Sequence, residues 1–529
     1  MCGIAGIFHP DVPTPLDPGR VEGMSDALAH RGPEGAGVWT APGIGLGHRR
    51  LAIIDLSDAP AQPMLTADRR VALTYNGEIY NFREVRAELE AKGHAFRTES
   101  DTEIILAAWR QWGPDCLDRF NGMFAFALYD ADADSLFLAR DRLAVEPLFL
   151  AELPDGALVF ASELKGLLAH PGLRRSPSAQ AIEDFLAFGY VPDDASIVEG
   201  VRKLAAGHFL HIRRGRPVPA PVCWWDVDFS SPSRAPLKAL EEEMVERLRE
   251  AVRSRMVADV PLGAFLSGGV DSSAVVAFMA ESSREAVRTC SIGFDEADHD
   301  ETRYARLVAE RFATRHRTRT VAAADFSLIG LLADAFDEPF ADASALPTYQ
   351  VSALARESVK VSLSGDGADE AFAGYRRYRL FANEERVRRL LPGVLARAAG
   401  ALGDVWPKLD RAPQWLRAKT TLQALGRGAG EAYARAIGVT PAEARSRLYS
   451  ASFVRSLQGH RAEDRYVEAY RSAPARDPLS RAQYADLKLW LPGDILTKVD
   501  RASMAVGLEA REPLLDHRLV EFGARLPAR

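Results

Sequence analysis

A Ser/Pro-rich stretch at residues 230–236, with the sequence SSPSRAP, divides this sequence into two parts whose secondary-structure patterns differ. Such a composition is typical of a linker between folded regions. The chain has 529 residues, which is too many for one hydrophobic core, because a domain usually holds about 150 residues. This length fits three or four domains, or two large ones, and the linker predicts where two of them meet.

The part before the linker is rich in short predicted strands. Residues 71–75 alternate between apolar and polar side chains, Asn76 and Gly77 predict a turn, and strand-like residues resume at Ile79. A second pair of predicted strands, FAFALYD and SLFLARD, is separated by an acidic turn at residues 130–134. Many short strands with few helices indicate stacked β-sheets.

The part after the linker alternates between helices and strands. Apolar residues from Leu237 to Met256 recur at steps of three and four, which predicts an amphipathic helix. The strand-like runs GAFLS, RTCSIGF and VKVSLSG then alternate with helical runs, one of which begins at about Ser272. This order is typical of a parallel α/β sheet. Residues 376–419 predict further helix with an excess of basic side chains.

The composition narrows the class of protein. Hydrophobic residues make up 47% of the chain and charged residues 26%, which is typical of a globular protein and argues against disorder. The formal net charge of −7 argues against nucleic acid as the main partner. The sequence predicts neither a membrane span nor a secretory signal, and its four cysteines form no CxxC pair that would indicate a disulfide framework or zinc site. We therefore expect a cytoplasmic enzyme.

Cys2 is the first residue that points to a particular chemistry. If Met1 is removed, the thiol of Cys2 lies beside its own α-amino group, whose pKa is about 7.7–8.0 and which can act as a general base. The other interpretation is a small apolar residue that opens a buried strand. Cys2 taken alone favours this second interpretation, so the choice depends on the surrounding motifs.

The motifs of the N-terminal part occur in a fixed order: MCGIAGIF, HRGPEG, HRRLAIIDL, YNGEIYNF and ESDTE. Together they resemble the class II glutamine amidotransferase domain, the glutaminase part of asparagine synthetases, and the resemblance continues through residues 186–212. It implies an α+β fold over residues 2–214, namely the four-layer αββα fold of N-terminal-nucleophile enzymes. It also reverses the interpretation of Cys2, which the resemblance makes the nucleophile.

The same resemblance implies a glutamine site. Attack on the glutamine amide produces a tetrahedral oxyanion, which needs hydrogen-bond donors that are in place beforehand. The family pattern assigns this role to the Asn76 side-chain amide and the Gly77 backbone N–H. It assigns the α-carboxylate of glutamine to Arg50, whose guanidinium suits a carboxylate, and the α-ammonium to Glu78 and Asp101. The other implied glutamine contacts are Leu51, Ala52, Ile53 and Ile54.

A glycine-rich turn in the second part predicts an anion site. The segment AFLSGGVDSSAVVAF predicts a strand, a turn and a helix, and the backbone N–H groups at such a helix N-terminus bind anions. No GK[ST] sequence follows, so this is not the loop of enzymes that transfer a γ-phosphate. SGGVDSS resembles the pyrophosphate loop of ATP pyrophosphatases, which implies an α/β parallel-sheet domain of that class over residues 237–529. The implied ATP contacts are Leu266, Ser267, Gly268, Gly269, Asp271, Ser272, Ser273, Ile292, Ser364 and Gly365.

A second motif, SLSGDGADEAFAGY, places Asp366 and Asp369 three residues apart after a strand-like run. Magnesium bound to a triphosphate needs hard oxygen ligands. The resemblance to asparagine synthetases implies that Asp271 and Asp369 hold Mg²⁺ and pyrophosphate, and that Asp366 assists formation of an acyl-adenylate. Residues 491–522 also match this family, so the resemblance covers nearly the whole chain.

The sequence departs from the family pattern in two places. Ala144 and Glu146 stand where the family usually has glycine and lysine, so Glu146 reverses a charge near the expected domain junction, where ammonia would pass. The family also continues with a basic segment whose lysine aids amide formation, and no residue of this sequence aligns with that lysine. Lys498 belongs to another matched motif and is not expected to replace it. We therefore expect this chain to hydrolyse glutamine but to make product slowly or not at all.

The resemblance implies a glutamine-dependent asparagine synthetase. Its small-molecule substrates would be glutamine, ATP and aspartate, with Mg²⁺ as the metal and no nucleic acid or membrane partner, and a homodimer is one possible assembly. The first alternative is the same mechanism on another carboxylate, such as a cell-envelope sugar acid or a secondary metabolite. Less favoured alternatives are a lactam-forming synthetase, a tRNA-modifying ATP pyrophosphatase, and a catalytically silent sensor of glutamine or ATP.

Overall fold

The computed structural model describes residues 1–295, 300–321, 326–407 and 418–528. The strands of the N-terminal part are β1 Gly3–Phe8, β2 Gly35–Ala41, β3 Ile44–Arg50, β4 Met64–Leu65, β5 Val71–Ile79, β6 Gly122–Asp130, β7 Ser135–Arg140, β8 Phe149–Glu152, β9 Leu158–Ala161, β10 Val201–Lys203, β11 His208–Arg213 and β12 Val222–Cys223. Its helices are α1 Pro18–Asp26, α2 Phe82–Ala91, α3 Thr102–Trp112, α4 Leu164–Leu168 and α5 Ala179–Phe188.

The twelve strands form two antiparallel sheets of six. One sheet has the order β10-β8-β9-β1-β3-β2 and the other β12-β11-β7-β6-β5-β4. Apolar side chains of β1 and β3, such as Phe8 and Leu46, pack against Ala127 and Leu138 of the second sheet. Helices α1 and α4 cover the outer face of the first sheet, while α2 and α3 cover the second. The predicted αββα layering is therefore confirmed, as is the acidic turn between β6 and β7.

The predicted turn at Asn76 and Gly77 is wrong. Both residues lie inside β5, where Asn76 pairs with Ala125 and Gly77 pairs with Phe124 of β6. An Asn-Gly pair suits a tight hairpin turn, but here β5 continues past it because its ladder with β6 runs unbroken from Val71 to Ile79.

The C-terminal part contains one parallel sheet with the order β15-β14-β13-β16-β17, so the predicted parallel α/β sheet is confirmed. Its strands are β13 Leu262–Phe265, β14 Arg288–Phe294, β15 Arg315–Val321, β16 Val361–Leu363 and β17 Glu509–Arg511. Its first helices are α6 Leu237–Arg255, α7 Val270–Ser282, α8 Thr302–Arg311, α9 Ile329–Phe336, α10 Ala345–Arg356 and α11 Ala368–Phe372. The linker prediction agrees with the start of α6, whose Leu240, Leu248 and Val252 are buried, although Leu237 is exposed.

A helical region follows the second carboxylate motif. Its helices are α12 Arg376–Leu390, α13 Gly393–Val405, α14 Lys419–Leu425, α15 Ala429–Ile437, α16 Ala442–Arg445, α17 Ala451–Ser456, α18 Ala462–Ser472, α19 Pro478–Ala485, α20 Thr497–Met504 and α21 His517–Ala524, with a π-helical stretch at Asp486–Leu496. Residues 408–417 of the predicted helical stretch lie outside the described residues. Tyr433 and Tyr466 of this region pack with Phe188 and Tyr190 of the N-terminal part.

The two domains share a buried interface. Met1, Leu51, Ile53, Tyr80 and Met123 of the N-terminal domain belong to one hydrophobic cluster with residues of the C-terminal domain that include Leu248, Val252, Met504 and Leu514. Charged groups cross the same interface, because Arg31 donates to both carboxylate oxygens of Asp500 at 3.0 and 2.7 Å. The loop that carries Cys2 therefore lies next to the second domain.

Candidate active sites

Cys2 lies immediately before β1, at the end of the strand that faces the domain interface. Its backbone N–H donates to Asn76 Oδ1 at 2.5 Å, and its Sγ lies 3.8 Å from the carbonyl oxygen of Leu51. Burial raises the pKa of the thiol to about 11, against the opposing effect of the N-terminal ammonium. A buried thiol of this kind needs a base at hand, because the thiolate is the nucleophile.

Met1 precedes Cys2 and is buried. Its α-ammonium donates to Glu509 Oε2 of β17 at 2.8 Å. While Met1 is present, the nitrogen of Cys2 is part of a peptide bond and cannot act as a base. It becomes a free amine only once Met1 is removed.

The two predicted oxyanion donors are neighbours on β5. Asn76 has no exposed surface, and its Oδ1 accepts the hydrogen bond from Cys2. Gly77 has φ +143°, and a Cβ at this position would overlap the carbonyl oxygen of Met123. Glycine is required here because β5 and β6 approach too closely for any side chain.

We expect Gly77→Ala to lower the free energy of unfolding by about 2–5 kcal/mol, because it combines an unfavourable φ with a steric overlap against backbone. Gly93→Ala is the matched control, since Gly93 also has a positive φ but no atom within 4 Å of the position that an alanine methyl group would take. Its loss should be about 1 kcal/mol. Denaturant unfolding measures both, and equal losses for the two variants would contradict the close approach at Gly77.

The three residues predicted to hold the ends of glutamine differ in the hydrogen bonds that they already form. Arg50 donates to the carbonyl oxygens of Ser57 and Asp55 at 2.6 and 2.5 Å. Asp101 already accepts from the Tyr75 hydroxyl at 2.7 Å and from the Ile79 N–H at 3.0 Å.

Glu78 has more capacity for a ligand than Asp101. Its Oε1 lies 3.3 Å from Arg511, whereas its Oε2 is buried without a hydrogen-bond partner among the described residues. Burial and the nearby carboxylates of Glu509 and Asp101 raise its pKa well above the usual value. An ammonium group would supply the missing donor and favour the charged carboxylate.

The segment from Leu51 to Ile54 follows β3 along the domain interface. Leu51 and Ile53 are buried in the interdomain cluster, and Ile54 packs against it. The Ala52 N–H donates to Glu34 at 2.8 Å, while the Ile53 carbonyl accepts from the Asp259 N–H at 2.9 Å. These contacts fix the Leu51 carbonyl beside the Cys2 thiol.

Arg31 is not singled out by the sequence analysis, although it belongs to the HRGPEG motif. Its Nε donates to the Cys2 carbonyl at 2.8 Å, and its guanidinium pairs with Glu163 at 2.7 Å as well as with Asp500. These carboxylates raise its pKa above the ordinary value. Arg31 therefore fixes the backbone of Cys2 and links it to the second domain.

The two residues that depart from the family pattern lie between the domains. Ala144 has φ +61°, a backbone conformation that favours glycine. Glu146 is fully buried, accepts a hydrogen bond from the Asn76 Nδ2 and lies 3.6 Å from Arg31. Burial and Asp500 raise its pKa to about 8.

A cavity of about 360 Å³ lies at the carboxyl ends of β13 and β16, in the C-terminal domain. We call it the nucleotide cavity. Of the residues predicted to bind ATP or Mg²⁺ or to assist adenylation, those that line it are Ser267, Gly269, Asp271, Ser272, Ser364, Gly365, Asp366 and Asp369. Helix α7 begins at Val270 and presents its N-terminal N–H groups there. A parallel sheet places ligands at this edge.

Four predicted ATP contacts do not line the nucleotide cavity. Leu266 is buried in the core, and its carbonyl accepts a hydrogen bond from Ser291. Gly268 has φ +86° and passes so close to Tyr304 that a Cβ would overlap it. The Ser273 hydroxyl donates to the Gly269 carbonyl at 2.6 Å, and Ile292 lies within β14.

The carboxylates of this cavity suit a hard cation. Burial together with the nearby Asp369 and Asp366 raises the pKa of Asp271, and burial raises that of Asp369. Such mutual destabilisation is relieved by a bound cation. No group of three or more His, Cys, Asp or Glu side chains that could hold a metal occurs among the described residues. Within the described residues, Asp271 and Asp369 therefore do not form a complete metal site by themselves.

Lys498 also lines the nucleotide cavity. Its ammonium donates to Asp342 Oδ2 at 2.8 Å, and Asp342 and Asp366 both contribute to raising its pKa. The sequence alone does not indicate that Lys498 lines this cavity, because its motif lies more than a hundred residues from the loops that carry Ser267 and Asp366. The described structure gives it a place beside Asp366.

An αββα domain that carries Cys2, Asn76 and Gly77, joined to a parallel α/β domain with a glycine-rich loop, defines a glutamine amidotransferase coupled to an ATP-dependent ligase. A family model described as glutamine amidotransferase domain matches residues 1–224, and one described as asparagine synthase matches residues 243–529. The chain belongs to the asparagine synthase family.

Individual relatives agree with this family. The chain is 31% identical to asparagine synthetase [glutamine-hydrolyzing] 1 of Bacillus subtilis, over all of this chain and 81% of the relative. It is 35% identical to a putative asparagine synthetase of Mycobacterium bovis, over 95% of this chain and 78% of the relative. It is also 28% identical to amidase chry2 of Gibberella zeae, over all of this chain and 83% of that protein.

Within the described residues, none of the helices is both long and apolar enough to cross a membrane.

Proposed function

We propose that this chain is a glutamine-dependent asparagine synthetase. It would convert glutamine, aspartate, ATP and water into glutamate, asparagine, AMP and pyrophosphate. The observation that carries the proposal is the presence, in one chain, of Cys2 hydrogen-bonded to Asn76 and of a nucleotide cavity that gathers Asp271, Asp366 and Asp369. These two sites lie in domains that share a buried interface.

The first step would take place at Cys2 after Met1 is removed. The α-amino group of Cys2 accepts the thiol proton while Sγ forms a bond to the amide carbon of glutamine. The Asn76 amide and the Gly77 N–H donate to the oxyanion, the C–N bond then breaks, and the leaving nitrogen takes the proton to become ammonia. Water hydrolyses the thioester and releases glutamate.

The second step would take place in the nucleotide cavity. The N-terminus of α7 and the Ser267 and Ser272 hydroxyls bind the phosphates of ATP. Mg²⁺ held by Asp271 and Asp369 would neutralise phosphate charge. The acceptor carboxylate attacks the α-phosphorus and pyrophosphate leaves, after which ammonia attacks the acyl carbon and AMP leaves. The absence of a GK[ST] sequence favours this cleavage over transfer of the γ-phosphate.

A second candidate is the same chemistry on another carboxylate. The similarity to amidase chry2 extends over the whole chain, so the two-domain arrangement alone does not specify aspartate. Acceptor choice depends on the side chains of the nucleotide cavity, which include Lys498 and Ser344 beside Asp366.

An acceptor panel tests the proposal. The protein is supplied with ATP, Mg²⁺ and ammonium chloride, and pyrophosphate and AMP are measured with aspartate, glutamate or sugar acids. We expect aspartate to give the highest rate and Asp271→Asn to lower it without changing glutamine hydrolysis. Product from a sugar acid but not from aspartate would favour the second candidate, and ADP with phosphate as main products would overturn the proposed adenylation.

A further inference from the structure

Glu509, on β17 of the C-terminal domain, reaches the N-terminus of the other domain. Its Oε2 accepts a hydrogen bond from the α-ammonium of Met1 at 2.8 Å, and its Oε1 accepts one from the Nε of Arg511 at 2.8 Å. Met1 is 3% exposed and Glu509 is 1% exposed. The contact is therefore a buried ion pair between the two domains, and a buried charge is tolerated only when it is paired.

Removal of Met1 changes what this carboxylate can bind. The ammonium that Oε2 holds leaves with Met1, while Arg511 continues to occupy Oε1. A charged carboxylate oxygen without a donor is costly inside a protein. The new N-terminal amine is that of Cys2, the next residue along the chain, and it supplies a donor of the same kind.

The α-amine of Cys2 lies within reach of Glu509. One residue spans at most about 3.6 Å of chain, so the nitrogen of Cys2 is no farther than that from the nitrogen of Met1. Asn76 Oδ1 accepts the N–H of Cys2 at 2.5 Å and so restricts where that nitrogen can move. One water molecule in the place of Met1 can bridge the amine and Glu509, and such a bridge is nearly as favourable as a direct hydrogen bond.

Several other titratable groups surround this N-terminus. They are Arg31, His48, Glu78, Tyr80, Asp101, Glu146 and Arg511. Burial lowers the pKa of His48 to about 3, and it raises the pKa of Glu78, of Asp101 and of Glu146. Against the cost of burial, the N-terminal ammonium and Arg511 lower the pKa of Glu509. Among these described carboxyl groups, Glu509 is therefore the one whose surroundings favour the charged form.

We propose that Glu509 is a positioning residue of the glutaminase reaction, which holds the α-amine of Cys2 once Met1 has been removed. This inference rests on the proposed function, and it adds a residue of the C-terminal domain to the glutaminase site. The amine accepts the proton of the Cys2 thiol while Sγ attacks the amide carbon. The ammonium so formed donates to Glu509 until its proton passes to the leaving nitrogen, and Glu509 itself neither gains nor loses a proton.

The charge of Glu509 makes the Cys2 amine a stronger base. An opposite charge within about 4–6 Å favours the ammonium form and changes a pKa by about 1–3, whereas burial alone favours the neutral amine. The base must take a proton from a thiol whose pKa is raised to about 11 by burial. Glu509 thus narrows the difference in pKa between the base and the thiol.

Glu509→Gln tests this role, because it removes the charge but keeps the size of the side chain and an acceptor for Arg511. The ratio kcat/KM for glutamine is measured against pH, on the whole chain after mass spectrometry has shown that Met1 is absent. The acidic limb of this profile reports the base of the free enzyme. We expect the limb to move to lower pH by about 1–3 pH units, and Glu509→Asp, which keeps the charge, should restore most of the profile.

Glu512→Gln is the matched control. Glu512 is a buried glutamate of the same interface, 4% exposed, but its carboxyl group faces Asp366, Glu146, Asp500 and Arg255 rather than the N-terminus. We expect its acidic limb to coincide with that of the unaltered protein. An equal displacement in Glu512→Gln and Glu509→Gln would overturn the inference. So would a higher KM for glutamine with an unchanged limb in Glu509→Gln, because Glu509 would then bind the substrate rather than the base.

Failure of the proposed function gives a different result, since the unaltered protein would then hydrolyse no glutamine at any pH. The pKa of the N-terminal amine, measured by competitive acetylation in Cys2→Ala, still tests the site. We expect this pKa to lie above the usual range of about 7.7–8.0, and to be lower when Glu509→Gln is added. A pKa in or below that range in Cys2→Ala would overturn the inference, even if Glu509→Gln is too unstable to assay.

Discussion

Replacing Cys2 with alanine is expected to lower glutamine hydrolysis by about 10⁴-fold or more, the scale of losing a covalent nucleophile. Among the free cysteines Cys116 and Cys290 are buried and Cys223 is exposed, and none of the three lies beside an N-terminal amine. No other thiol can therefore take over the reaction. Release of glutamate from glutamine is the measurement, made on protein from which Met1 has been removed.

The same variant should keep its second activity. Amide formation from ammonium chloride depends on the nucleotide cavity, which Cys2 does not line. Cys223→Ala is the control for loss of a thiol, and we expect it to hydrolyse glutamine normally. Glutamine hydrolysis near the unaltered rate in Cys2→Ala would mean that another group is the nucleophile.

Replacing Lys498 with methionine is expected to slow amide synthesis by about a hundred- to thousandfold. Negative charge develops on the transferring acyl group and the departing AMP, and one preplaced electrostatic donor is worth about 2.7–4 kcal/mol at such a centre. The sequence analysis did not expect Lys498 in this role, but Lys498 is the described lysine that lines the nucleotide cavity, where it is held by Asp342. Pyrophosphate release and amide formation from ammonium chloride are the measurements.

Controls separate this role from a structural one. Lys498→Met leaves Asp342 without its ion-pair partner, so unfolding must be measured alongside activity. Lys498→Arg restores the charge and should recover much of the pyrophosphate release, while glutamine hydrolysis should be the same in all three proteins. Unchanged synthesis in a stably folded Lys498→Met would mean that another group supplies the charge.

The sequence predicted those features that depend on local pattern. The hairpin of β6 and β7, helix α6 and the parallel sheet follow from periodicity and turn residues, and each is confirmed. The turn at Asn76 and Gly77 failed because a local preference was overridden by the long pairing of β5 with β6. The preference of an Asn-Gly pair for a turn is easily overridden where a strand pairs with a neighbouring strand on each side.

The residues that sequence reasoning missed act across large separations in the chain. Arg31 joins Cys2 to Asp500, and Lys498 joins Asp342 to the loop of Asp366. Motif matching identified the segments that contain them. Only the packing of the two domains shows which charges meet, because no periodicity relates residues on different domains.

The buried ion pairs of Arg31 also limit how such a gene can be recombined. Arg31 has no exposed surface and contacts Glu163 in its own domain and Asp500 in the other. Removing one partner of a buried pair costs about 3–5 kcal/mol. A chimaera that joined this N-terminal half to a ligase half without an acidic residue at position 500 would carry that penalty beside Cys2. The two halves are therefore expected to be inherited together, with changes on one side of the junction selected for their fit to the other.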